Sequence, residues 1–222
     1  MRRRNGFTLI ELLVVVALIG GLAAMVLSRM RGGSTAVALQ AGQATLANAV
    51  VSARTRAIAS GRNVRLLVHD GALSPLARER FRRLIVVAEE IDGAWQAREG
   101  LALPEGVYVL PHRTRVRAGM FAVAAEWRTA NNQETLGSSA LSNAPMTFGY
   151  DTEGAQSWEW IAFTARGTID GAGALIVAGG RGREPTAEAT ASPVEFVEAQ
   201  NVRGLILSNY GVPRWSNDRT AF

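Results

Sequence analysis

The sequence predicts an α+β fold, with one long N-terminal helix laid on a mainly antiparallel β domain. Three observations lead there. Residues 7–27 are an almost unbroken apolar run, residues 34–60 carry apolar side chains at helical spacing, and beyond residue 62 the chain breaks into short runs rich in β-branched and aromatic residues.

The first run, Phe7 to Leu27, follows Arg2, Arg3 and Arg4 and holds a single charged residue, Glu11. As a helix its 21 residues reach about 31 Å, enough to cross a hydrocarbon core of about 30 Å. The basic flank is expected to stay cytoplasmic, leaving the rest of the chain outside. Ser28–Gly33 is a polar interval between the two halves, and Gly20-Gly21 is expected to soften the helix earlier. Ser34 is the expected N-cap of a second, amphipathic half. There Val37, Leu39, Leu46, Val50, Ala53 and Ala57 form the face expected on a sheet, with Gln40, Gln43, Asn48 and Arg54 between them. Gly61 is the expected stop.

Strands are expected at Asn63–Val68, Leu84–Ile91, Val107–Leu110, Trp158–Thr164, Ala174–Ala178, Val194–Glu198 and Leu205–Ser208. Asp92-Gly93 is a hairpin turn joining Leu84–Ile91 to Trp95–Ala97. Residues 74–83 read as a helical turn or a charged loop. Residues 112–145 read as an insertion with one strand at Met120–Ala125. The resulting division is 1–6 leader, 7–33 membrane helix, and 34–222 outer domain, the last split into the helix 34–60 and the β-rich part 62–222.

Composition excludes several chemistries. The 222 residues allow one membrane segment and one domain of roughly 150 residues. There is no cysteine, so disulfides, thiolate zinc sites and thiol catalysis are excluded. All 24 basic residues are arginine, which removes the lysine of a phosphate-binding loop and Schiff-base chemistry. Three of the charges behind the net +5 are Arg2, Arg3 and Arg4, so without the leader the protein is nearly balanced, and nucleic acid is not an expected partner.

Three readings of the N-terminus compete. A secretory signal peptide needs a shorter apolar core and a small-residue cleavage site, for which Ala23-Ala24-Met25 is a loose match. A plain signal anchor explains the length and the arginines but not Glu11, since a lone central carboxylate costs about 2.5–3.5 kcal/mol. The third reading accounts for all of it: Gly6-Phe7-Thr8-Leu9-Ile10-Glu11 resembles the type IV prepilin cleavage motif. The resemblance implies cleavage between Gly6 and Phe7 by a membrane prepilin peptidase and N-methylation of Phe7. It also implies that Glu11, then the fifth mature residue, pairs with the N-terminal amine of a neighbouring subunit during filament assembly. A small residue before the cut suits close approach of a peptidase to the backbone.

A second resemblance covers Ala53–Val64, which is similar to the helix-end segment of H-type minor pseudopilins and T-type fimbrial minor pilins; the late strand Val202–Ser208 followed by Gly211 resembles their ending. The length of the chain and the 112–145 insertion depart from that pattern. The resemblance implies a single-pass inner-membrane protein with a periplasmic domain, a structural subunit of a type II secretion-like filament. Its implied partners are other major and minor pseudopilins and the inner-membrane assembly platform, with no enzymatic activity and no cofactor. The rival is a T-type minor pilin acting in pilus assembly or DNA uptake. That branch has a C-terminal Gly-Arg-x-Arg stretch, of which Gly211-Val212-Pro213-Arg214 keeps one arginine. Gly180-Arg181-Gly182-Arg183 spells the pattern earlier, ahead of Glu184 and Pro185.

The remaining constellations are weaker. Arg181 and Arg183, in a glycine-rich loop, are candidate anion contacts. His69 and His112 have no neighbouring ligand at metal spacing and read as structural. Asp151-Thr-Glu153-Gly154 lacks the acidic twelfth position of a calcium loop, where Ala162 stands, and reads as a polar turn. Gly171-Ala-Gly173 reads as a turn before a strand. Trp158 and Trp160 are expected on one sheet face, packed in a core.

Overall fold

The structure is a computed structural model and describes residues 9–71, 74–117, 122–123, 136–152, 154–183, 193–196 and 200–222. It is an α+β fold with a long N-terminal helix packed on a largely antiparallel β domain. The chain divides into two compact units, Met1–Val37 and Ala38–Phe222.

Helix α1 runs without a break from Leu9 to Ser60. Ser34 therefore stands inside the helix and caps nothing, and neither Gly20-Gly21 nor Gly32-Gly33 interrupts it. Each glycine costs about 1 kcal/mol against alanine in a helix interior, and cooperative propagation through the flanking turns carries that cost. The stop at Gly61 is as expected, since its φ of +65° suits glycine at a helix end.

Within the second unit, α1 buries Leu39, Leu46, Ala49, Val50, Ala53 and Ala57. Val37, expected in this set, is 69% exposed. Gln43, expected outside it, is buried, and its Nε2 donates to the carbonyls of Gly204 at 2.8 Å and Ser216 at 3.0 Å. The buried arc is wide because α1 packs against two sheets. One turn from Leu46, a Cβ on Gly42 would lie 2.7 Å from Val107 Cγ1, so the helix rests almost on the strand there.

The first sheet has the order β3-β2-β1-β7-β6, from β1 (Val64–His69), β2 (Leu84–Ile91), β3 (Ala94–Ala102), β6 (Met146–Gly149) and β7 (Ala155–Phe163). The second has the order β12-β11-β8-β4, from β4 (Val107–Val109), β8 (Gly173–Gly179), β11 (Val202–Leu207) and β12 (Pro213–Ser216). A small third sheet joins β5 (Ala122–Val123), β10 (Val194–Phe196) and β9 (Arg181–Gly182), with β5 and β10 parallel. The β2–β3 hairpin turns on Asp92 and Gly93, both at positive φ as a tight two-residue turn requires, and β3 runs on to Ala102, well past the expected Ala97.

The inner faces of both sheets meet α1: Leu66, Val68, Ile85, Val87, Ile161 and Phe163 from the first, Val107, Val109, Leu175, Val177, Leu205 and Leu207 from the second. The alternate residues of β8, Ala174, Ile176 and Ala178, face a second core with Tyr108, Val194 and Phe196. Burial on both sides explains why Ala174–Ala178 reads as a continuous apolar run. The outer face of the first sheet holds a third core around Trp158, whose indole donates to the Phe148 carbonyl at 3.0 Å. Trp160 shares that face, and the Arg65 guanidinium lies between it and Trp95, 4.3 and 4.2 Å from the ring centroids.

Residues 74–83, left open between helix and loop, form α2 (Pro75–Arg80). Ser74 caps it by accepting from the Ala77 N–H, and Pro75 sits in its first turn. Within 112–145 the described residues include α3 (Arg113–Arg117) and β5, which falls inside the expected Met120–Ala125. Ser138 and Ser139 dock on β8, their hydroxyls accepting from the N–H groups of Ile176 and Ala174. Asn131-Asn132 lies outside the described residues.

Candidate functional site

The N-terminal signal is carried at the head of α1. Gly6 and Phe7 lie outside the described residues; Glu11 falls in α1, its side chain outside them. Leu13 and Val16, three residues apart and so on one helix face, are each 60% exposed. Among the described residues no helix is long and apolar enough to cross a membrane. Apart from Leu13 and Val16, the side chains of the expected span from Phe7 to Leu27 are outside the described ones.

The domain contains a buried ionic cluster that the sequence reading missed. Asp70 follows β1, Glu159 is in β7, Arg82 precedes β2 and Arg115 is in α3. Arg82 and Glu159 are fully buried. The Arg82 guanidinium donates to Glu159 at 2.8 Å, to Asp70 at 3.3 Å and to the Val109 carbonyl at 3.0 Å. Arg115 donates to Asp70 at 2.6 Å and to Glu159 at 2.5 Å, and the His112 N–H donates to Glu159 at 3.2 Å. Two cations face two anions, so burial leaves no net charge. Arg82 holds a φ of +57°, its N–H bonded to the His69 carbonyl and its own carbonyl to the Val109 N–H. Backbone and side chain of this one residue thus tie β1, β4 and β7 together. Burial pushes the Asp70 carboxyl above its ordinary value, the charges of Arg82 and Arg115 offsetting only part of the effect. The one signal in the sequence was Glu159, a charge set directly between two tryptophans, Trp158 and Trp160.

The histidines flank this cluster. His69 is buried edge-on against Trp158, with ring centroids 4.8 Å apart. His112 Nδ1 accepts from the Thr114 N–H, and burial pushes its pKa below the ordinary value despite nearby Glu159. Asp151 is ion-paired with Arg80. Gly171, at φ +89°, makes the turn before β8.

Arg181 and Arg183 are exposed, but Arg181 belongs to a strand, with Glu195 as its cross-strand neighbour in β10. The Arg183 N–H bonds the Pro193 carbonyl, extending that pairing. The expected loose arginine loop is therefore a strand edge as far as Arg183.

The family model of the prokaryotic N-terminal methylation motif matches residues 1–27. No curated protein and no solved structure matches the chain. The matched stretch contains Gly6, Phe7 and Glu11, and the chain thus carries at its N-terminus the type IV pilin-like signal for prepilin peptidase cleavage and methylation.

Proposed function

We propose that this chain is a minor pseudopilin of the H type, a structural subunit of a type II secretion-like filament that helps export proteins across the outer membrane. The observation that carries it is the methylation motif at residues 1–27 leading into a 52-residue helix that continues into a folded β domain. In this reading the first half of α1 anchors the subunit in the inner membrane and then in the filament, and the domain lies in the periplasm. The exposed Leu13 and Val16 support it, because apolar side chains left open on one helix face suit a lipid or helical environment. The subunit does no chemistry of its own; its partners are the peptidase, the other pseudopilins and the assembly platform. The strand position of Arg181, opposite Glu195, weighs against the DNA-uptake alternative.

Deletion of the gene tests the reading. Exported proteins are expected to accumulate in the periplasm, with DNA uptake and pilus-dependent motility unchanged. Normal export together with lost DNA uptake would make it a pilus subunit instead.

A further inference from the structure

We propose that the part of the domain where α1 ends is a docking surface for a second protein, one that presents carboxylates beside an apolar recess. Three pieces of chain converge there: the last turns of α1, the turn at residues 164–168 after β7, and the turn at residues 208–212 between β11 and β12. Two glycines at positive φ permit the approach. A Cβ on Gly167 would lie 2.7 Å from Ile58 Cδ1, and one on Gly211 would lie 2.8 Å from the Gly167 carbonyl oxygen and 3.3 Å from Arg54 Cδ. Arg54 Nε donates to the Tyr210 carbonyl at 2.8 Å, and Ile169 N–H to the Asn209 carbonyl at 3.0 Å, so the second turn is braced from the helix and from the first turn.

What this bracing holds out is apolar: Tyr210 is 71% exposed, Val212 49% and Ile58 48%. A turn fixed on two sides that leaves its aromatic residue mostly in solvent gains little for folding from that ring. The surface combines a tyrosine, two aliphatics and, beside them, Arg54 and Arg166, the residue types that anchor protein interfaces. Among the described residues, neither arginine makes an ion pair. Both positive charges are thus left open to a partner's carboxylates. Two arginines are too few for a duplex nucleic acid, whose binding draws on many phosphate contacts, whereas three apolar side chains suit a protein recess. The surface lies wholly in the unit Ala38–Phe222 and is separate from the N-terminal signal.

The test is photo-crosslinking of the full chain in its native membrane, with benzoylphenylalanine in place of Tyr210 and the crosslinked peptide mapped by mass spectrometry. The expected product is a peptide of another protein in which aspartate or glutamate flanks the crosslinked apolar residue. Arg166→Glu is expected to lower its yield roughly tenfold by like-charge repulsion, while Arg181→Glu, on the third sheet, leaves it unchanged. Arg54 is left intact because it braces the turn, and an unchanged unfolding midpoint checks that Arg166→Glu folds. No crosslink, a crosslink to lipid, nucleic acid or a second copy of this chain, or a yield indifferent to Arg166→Glu would each overturn the proposal.

Discussion

Arg82→Met is expected to remove about 3–5 kcal/mol of folding stability, the usual consequence of breaking a buried ion pair from one side. Arg82 is fully buried and supplies hydrogen bonds to Glu159, Asp70 and the Val109 carbonyl. Without it the two buried carboxylates keep the guanidinium of Arg115, which is 14% exposed and donates to both, and Glu159 keeps the His112 N–H. The residue also ties β1 to β4 through its own backbone, which methionine can reproduce only by accepting the same positive φ. Denaturant unfolding of the detergent-solubilised chain, followed by the fluorescence of its tryptophans, measures the loss. Adding Asp70→Asn and Glu159→Gln to Arg82→Met is expected to recover part of it, because the uncompensated charges go. A loss below about 1 kcal/mol, the range of exposed pairs, or no recovery in the triple variant, would mean that the cluster does not clamp the sheets.

Glu11→Ala is expected to leave membrane insertion and cleavage intact while reducing filament incorporation at least about tenfold, equivalent to about 1.4 kcal/mol of docking energy. Insertion survives because the substitution removes the one charge of an apolar run. Incorporation falls because the Phe7 amine of the adjoining subunit loses its counter-charge in an apolar setting. Co-purification of the variant with the other filament subunits is the measurement. Wild-type recovery would remove the role assigned to Glu11.

Much of the architecture was legible in the sequence because local rules and tertiary packing agree there. Leu84–Ile91 is a strand with the expected bounds, closed by the Asp92-Gly93 turn whose two residues take the backbone such a turn demands. Trp158 and Trp160 share a face because strand side chains alternate. Where two sheets press on one helix, pattern alone fell short. The buried arc of α1 took in Gln43, since what decides there is the position of β11 and β12, well over a hundred residues away along the chain. The ionic cluster was hard to read for the same reason: Asp70, Arg82, Arg115 and Glu159 come from four segments, and apart from Glu159, set between two tryptophans, each alone looks like a surface charge. Arg181 looked like part of a loop because Val194–Phe196, which turns it into a strand, lies beyond a stretch that holds Pro185 and Pro193. The N-terminal signal was the most legible part, because peptidase recognition reads contiguous residues and needs no fold.

That signal is also where the central claim is most directly tested. Mass spectrometry of the protein extracted from its native membrane is expected to find the mature N-terminus at Phe7, with the leader through Gly6 gone and a methyl group on the new amine. A chain that still begins at Met1, or one cut near Ala24, would contradict the assignment.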